Sequence, residues 1–271
     1  MSDAMNQNEK ILEVRGVSAG YKNNSVLENV DLTVERGKVY SIIGPNGCGK
    51  TTLLRVMSRS MKPTGGKVLL DGSDIFRTNT KKVARKMAIL AQSNATMSDV
   101  TVRKLVSYGR YAHKEWWQGN AAEDTDIVDW AIRRTNLSGY EERKINTLSG
   151  GERQRAWIAM SLAQKPELLL LDEPTTYLDI SHQLEIMELV SALNREEGIT
   201  ILMVLHDINH AARYSDELVV MKDHGIYRQG DPWEVLSSGD VLSDVFRIEA
   251  EITRDTETGK PIFYAKKVKG G

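Results

Sequence analysis

The stretch Gly44-Pro45-Asn46-Gly47-Cys48-Gly49-Lys50-Thr51-Thr52 follows the spacing G-x-x-x-x-G-K-S/T. Glycines let consecutive backbone N–H groups wrap a phosphate, Lys50 neutralises its outer oxygens, and the Thr51 hydroxyl suits a magnesium ion. A second stretch, Leu168-Leu169-Leu170-Leu171-Asp172-Glu173-Pro174, ends an apolar run in two carboxylates. Adjacent residues of a strand point to opposite sides, so the two acids take different work. Asp172 suits a magnesium shell, and Glu173 suits the base that orients or deprotonates an attacking water in phosphoryl transfer. The bland alternatives are a surface turn for the first stretch and a strand running into an acidic turn for the second.

A third stretch, Leu148-Ser149-Gly150-Gly151-Glu152, opens a helix with a hydroxyl, two unhindered amides and a helix dipole that together suit an anion. By itself it also reads as an ordinary serine N-cap. A bound nucleotide has one phosphate tail, so two phosphate sites need a second ligand or a second copy of the chain. The symmetric solution is a head-to-tail dimer with ATP at each interface.

These residues need a scaffold, and the patterning supplies one. Ile11 to Arg15 and Val30 to Glu35 alternate as antiparallel strands about a turn region at Gly20 to Asn24. Val39 to Ile43 is a mostly apolar strand entering the glycine loop, and Thr51 to Ser60 has helical spacing. Lys67 to Leu70 and Lys86 to Leu90 read as further strands. From Val100 to Thr147 the strand signal vanishes, and helices are predicted over Val102 to Tyr111 and around Asp126 to Leu137. Beyond the third stretch, Ala156, Ala159, Met160 and Ala163 mark a helix face that Lys165-Pro166 stops. Leu168 to Leu171 and Ile199 to Leu205 are the continuous apolar runs of parallel strands covered on both faces, with a helix over Ser181 to Arg195 between them. A hairpin follows around Asp223-His224-Gly225, and alternation at Ile248 to Ile252 and Ile262 to Tyr264 predicts a small terminal β extension. Trp116, Trp117 and Trp130 read as core of the helical insert.

Composition narrows the classes. With 36 basic and 37 acidic residues among 271, the net charge of -1 gives no global bias toward nucleic acid or anionic lipid. The single cysteine, Cys48, excludes an internal disulfide and fits a reducing compartment. Its place in the loop predicts that a thiol reagent inhibits and ATP protects; the alternative is a small, shielded residue. The N-terminal ten residues do not resemble a signal peptide, and no apolar run approaches the ~20 residues of a membrane span. The guanine-reading pattern Asn-Lys-x-Asp is absent from the sequence.

The three stretches occur in the order Walker A, LSGGE signature and Walker B, and the chain resembles the ABC ATPases over nearly its whole length. The resemblance implies an α/β P-loop NTPase core with an antiparallel β subdomain and an inserted α-helical subdomain. The expected division is an ATPase domain over residues 9–246, its helical insert at about 93–150, and a β extension over 247–271. It also implies four further roles: Tyr21 as the aromatic that stacks on adenine, and Gln92 as the loop glutamine joining core to insert and adding to the magnesium shell. Asp179 matches the D-loop, and His206 the switch histidine at the terminal phosphate. Taken singly, the same four are a surface aromatic, a solvated loop amide, a helix cap and a cap residue before Asp207. Glu152 stands where many members carry glutamine.

Glu173-Pro174-Thr175-Thr176-Tyr177-Leu178-Asp179-Ile180-Ser181-His182-Gln183, Arg153 to Met160, and Leu205 to Tyr214 are similar to the ATPase subunits of iron(III)-siderophore importers. The expected protein is a magnesium-dependent ATPase, peripheral on the cytoplasmic face of a bacterial membrane. Its implied partners are a second copy, membrane permease subunits and, indirectly, a solute-binding protein, with no nucleic acid. Each ATP would meet Tyr21, Gly44 to Thr52, Gln92, Asp172, Glu173 and His206 of one copy and Ser149, Gly150 and Gly151 of the other. Cobalamin or haem importers, and soluble ABC ATPases without a membrane partner, are the alternatives.

Overall fold

The computed structural model describes residues 9–22, 24–92, 99–113 and 121–269. They fall into two units, one of Met1–Arg77 with Thr200–Gly271 and one of Thr78–Ile199. In the first, β1 (Lys10–Tyr21) pairs antiparallel with β2 (Asn24–Glu35), matching Leu12 to Val34 and Val14 to Leu32. Leu12, Val14, Val17 and Ala19 of β1 are buried, as are Leu27, Val30, Leu32 and Val34 of β2. Both strands outrun their predicted lengths, because register shifts between Val14 and Ala19 carry pairing past residues that break the alternation. Next come β3 (Val39–Ile43) and α1 (Lys50–Met57), then β4 (Gly65–Leu70) and β5 (Ser73–Asp74), giving a sheet ordered β2-β1-β4-β5. Helix α1 stops short of the expected Ser60, and Arg59 just beyond it takes a left-handed φ of 66°.

The second unit contains α2 (Thr80–Lys86), β6 (Met87–Leu90), α3 (Val102–Ser107), α4 (Ala121–Arg134), α5 (Gly150–Ala163), β7 (Leu168–Asp172) and α6 (Ile180–Glu197). Strands β6 and β7 are parallel, with Ile89 opposite Leu170. All five residues of β7 are buried, as a strand covered on both faces requires. Val102, Leu105 and Val106 of α3, Val128, Ala131 and Ile132 of α4, and Ala156, Ala159 and Leu162 of α5 form the helical core. The predicted helix Val102 to Tyr111 changes after Ser107 to a 3₁₀ winding over Tyr108–Ala112. There Gly109 lies against the Met160 carbonyl, where a Cβ would sit at 2.1 Å. One bridge, Thr101 to Lys144, crosses the region predicted to lack β structure. Trp116 and Trp117 lie outside the described residues. Trp130 is half-buried instead of core, with the Lys165 ammonium 3.2 Å from its ring centre.

The chain returns to the first unit with β8 (Thr200–Val204), α7 (Ile208–Tyr214), β9 (Glu217–Lys222), β10 (Gly225–Gly230) and α8 (Pro232–Ser237). A π-helical turn over Val241–Val245 precedes β11 (Ile248–Arg254) and β12 (Pro261–Val268). Strand β3 runs parallel to β8, Ile42 opposite Val204, and to β9, Ile42 opposite Val219. Ser41, fully buried in β3, accepts a hydrogen bond from Ser215 at 2.6 Å, so its hydroxyl is satisfied. Asp223 at φ 44° and His224 at φ 70° make the two-residue turn of the β9–β10 hairpin, matching the right-handed twist of the strands. Among the described residues no helix is long and apolar enough to cross a membrane.

Candidate functional site

Strand β3 ends at Ile43, and the glycine loop that follows delivers the chain into α1. Gly49, the residue before α1, has φ 107° and no side chain to cap the helix. A Cβ there would lie 2.9 Å from both Leu27 Cδ2 and the Val26 carbonyl oxygen, so close backbone approach admits only glycine. The first-turn N–H groups of α1 have no intrahelical acceptor and face the loop side, the arrangement that receives an anion. Lys50 is 5% exposed, and its ammonium donates to the carbonyls of Gly44 at 2.8 Å and Pro45 at 3.0 Å. The charge is thereby folded back over the loop. Asn46 and Gly47 form its exposed tip, Thr51 is half-buried, and Cys48 and Thr52 are buried. Burial pushes the Cys48 thiol above its ordinary range.

Two other predicted residues of this unit flank the loop. Tyr21, about half exposed at the end of β1, accepts a hydrogen bond from Arg55 of α1 at 3.0 Å. A hydrogen bond with the Thr52 side chain, together with Arg55, holds the Tyr21 phenol below its usual range. His206 follows β8, where Leu205 N–H still donates to Ile42 of β3 at 3.1 Å. The phosphate loop and His206 therefore leave adjacent parallel strands at their carboxyl ends, the edge where ligands of such sheets bind. Asp207 caps α7, accepting from the His210 N–H at 2.8 Å.

In the second unit β7 carries Asp172, 5% exposed, to the strand end. Glu173 next to it is half-buried at φ 52°. Gln92, an exposed residue just past β6, donates its amide to Glu173 Oε2 at 2.6 Å, and the Thr176 hydroxyl donates to the same oxygen at 3.1 Å. Sequence reasoning missed Thr176, whose only signal is a hydroxyl three residues past a turn.

Ser149 is an N-cap, and its Oγ accepts from Glu152 N–H at 3.2 Å while Glu152 Oε2 accepts from Ser149 N–H at 2.7 Å. This capping box draws the Glu152 carboxyl below its ordinary value, mainly through the Ser149 N–H. The Ser149 side chain itself helps hold the Glu152 carboxylate, so the box engages the hydroxyl as well as the backbone N–H. Asp179 likewise caps α6, accepting from His182 N–H at 2.9 Å, and contacts the His182 ring at 2.7 Å. Gly150 and Gly151 both face this segment: a Cβ on the first would be 3.4 Å from Leu178, and on the second 2.2 Å from His182. The bland reading of Ser149 and Asp179 as caps is thus structurally real, and the fold brings the two caps together through His182. That ring was not singled out by any motif.

A profile of the ABC transporter family matches residues 27–176. The iron(3+)-hydroxamate import ATP-binding protein FhuC of Bacillus subtilis (strain 168) is 47% identical over 251 residues, 93% of either chain. The petrobactin import ATP-binding protein FpuC of Bacillus anthracis is 48% identical over 263 residues, 96% of either chain. A dimeric structure of the ATP-binding cassette MJ0796 in a post-hydrolysis state with ADP and Pi aligns with TM-score 0.73 at 30% identity, covering 82% of this chain and 98% of that one. With β3 leading into a glycine loop, β8 and β9 parallel to it, an antiparallel sheet in the same unit and these likenesses, the chain belongs to the ABC transporter family and has the fold of its ATP-binding cassettes.

Proposed function

We propose that this chain is the ATP-hydrolysing subunit of a bacterial importer for a ferric siderophore or related ferric chelate. The strand, glycine loop and helix at Val39–Met57, with Lys50 folded over the loop, carry the nucleotide part of this reading. The hydroxamate and petrobactin importers named above support the cargo.

In this reading the α1 amides and Lys50 hold the phosphates, Tyr21 stacks on adenine, and His206 contacts the terminal phosphate. Glu173 takes the proton of the attacking water, its carboxylate steadied by Gln92 and Thr176. The Thr51 hydroxyl, the Asp172 carboxylate and the Gln92 amide oxygen are hard oxygen donors that fit Mg²⁺ and would hold it. When bound, the ion neutralises phosphate charge. Two copies work head to tail, the phosphate loop of each meeting Ser149, Gly150 and Gly151 of the other; the dimeric state of the cassette MJ0796 supports the pairing of two copies. The pair sits on the cytoplasmic face against membrane permease subunits, fed by a solute-binding protein, and the helical insert at about 93–150 relays closure to the permease.

Uptake of radioactive iron from a panel of siderophores and from haem, beside uptake of radiocobalt-labelled cobalamin, in a deletion strain tests the whole reading. The expected result is loss of one ferric chelate alone, restored by the wild-type chain and not by Glu173→Gln. Loss of cobalamin or haem alone moves the cargo to a sister branch. Normal uptake of all three classes overturns the transport role.

A further inference from the structure

The hairpin β11–β12 takes no part in the chemistry above, yet it is fastened to the helix that follows His206. Asn209, in the first turn of α7, grips Phe263 of β12 with both ends of its amide. The Phe263 N–H donates to Asn209 Oδ1 at 3.0 Å, and Asn209 Nδ2 donates to the Phe263 carbonyl at 3.3 Å. Both backbone groups of Phe263, which stands opposite Ile252 within the hairpin, are taken by Asn209, so they lie on the edge of β12 turned away from β11. One side chain thus completes a strand edge that would otherwise face solvent.

Two further ties reach the other end of the same helix. The Lys260 ammonium donates to the carbonyl of Ser215, the C-cap of α7, at 2.7 Å. The Arg213 guanidinium lies 3.6 Å from Asp255 and 3.7 Å from Glu257. On α8, the Trp233 ring carries the Arg254 guanidinium at 4.0 Å. Of the two strands only Pro261 is buried, so apolar burial contributes little to docking. Directional bonds define where the hairpin sits, and they add to the hold that the buried Ile208, Ala211 and Ala212 already give α7.

We propose that Asn209 is a positioning residue, which with the hairpin braces the turn from His206 through Asp207 into α7 and so holds His206 in register for hydrolysis. The inference rests on the role of His206 proposed above. Bracing a residue that touches only the terminal phosphate changes turnover more than nucleotide binding, since adenine and the inner phosphates are held elsewhere.

The test measures steady-state ATP hydrolysis by the full-length chain. Asn209→Ala lowers kcat roughly tenfold or more, as displacing a reacting group does, with KM for ATP unchanged. Asn209→Asp keeps the acceptor for the Phe263 N–H and recovers part of that loss. Phe263→Pro removes the same bond from the hairpin side, at an outward edge position where proline is tolerated. It gives the same loss, and the double variant is no slower than either single one. Unchanged kcat in Asn209→Ala, a rise in KM that accounts for its loss, or additive losses in the double variant would each overturn the brace. His206→Ala in the same assay separates the failures. Normal turnover there overturns the role of His206 and the brace together, whereas lost turnover beside a normal Asn209→Ala overturns the brace alone.

Discussion

Gln92 donates its amide to Glu173 Oε2 at 2.6 Å across 81 positions of sequence, and Thr176 donates to the same oxygen. Glu173 itself adopts φ 52°, a left-handed conformation that costs a residue with a Cβ about 1 kcal/mol or more. Such strain persists where surrounding bonds over-determine it. Two donors on one oxygen and a turned backbone therefore aim this carboxylate, and its removal tests the base role.

Glu173→Gln is expected to bind ATP and to hydrolyse it about a hundredfold more slowly or worse, because an amide cannot accept the proton of water. Thr176→Ala removes the hydroxyl donor to Glu173 Oε2 and costs about 1 kcal/mol, near fivefold in kcat. Single-turnover hydrolysis with tight-binding controls checks both. Near-wild-type turnover in Glu173→Gln removes that residue from the base role.

Gly151 has a steric reason to be glycine that is separate from any anion. An added Cβ would lie 2.2 Å from the His182 ring, which the Asp179 carboxylate holds at 2.7 Å. Gly151→Ala is expected to lower stability in urea by about 1–3 kcal/mol, the usual cost of overpacking. With His182→Ala already present the cost should largely vanish, because the obstructing ring is gone. Equal costs in the two backgrounds contradict this contact.

Cys48 is 6% exposed, and burial raises its thiol above the ordinary range. The nucleophilic species is the thiolate, so a raised pKa leaves less of it at neutral pH and burial blocks its approach. A disulfide reagent should label the native chain slowly at pH 7 and faster as pH rises, with unfolded protein reacting at once. This favours the shielded thiol over the exposed, ATP-protected one. Labelling of native and unfolded protein at equal rates would sink it.

Asp179 gives the chain an acid-sensitive cap. The His182 N–H, then the Ser181 hydroxyl and the His182 ring, lower its carboxyl from 3.8 to about 2. A carboxylate with a depressed folded pKa contributes stability that is full above the unfolded value and disappears as pH falls through the folded one. The stability advantage of wild type over Asp179→Ala should hold at neutral pH and shrink between about pH 4 and pH 2. Denaturant midpoints across that range measure it, and an advantage undiminished at pH 2 falsifies the cap's titration.

The sequence alone determined the parts whose physics is local. The run Val39 to Ile43, the glycine spacing of the loop and the helical spacing after Lys50 depend on neighbours a few residues apart, and the strand, loop and helix appear where patterning predicts them. The apolar runs Leu168 to Leu171 and Ile199 to Leu205 read as buried parallel strands for the same reason, and the strands form at Leu168–Asp172 and Thr200–Val204. Contacts between distant positions were decided only by tertiary packing. Gln92 on Glu173, the His182 ring on Gly151, and Asn209 on Phe263 join residues up to 81 positions apart whose types alone suggest loop amides or caps. Periodicity reports which face of an element is buried, but a single polar pairing leaves no period behind. Such pairings exist because the strands and helices, once packed, bring two edges within hydrogen-bond reach, and only folding sets that distance.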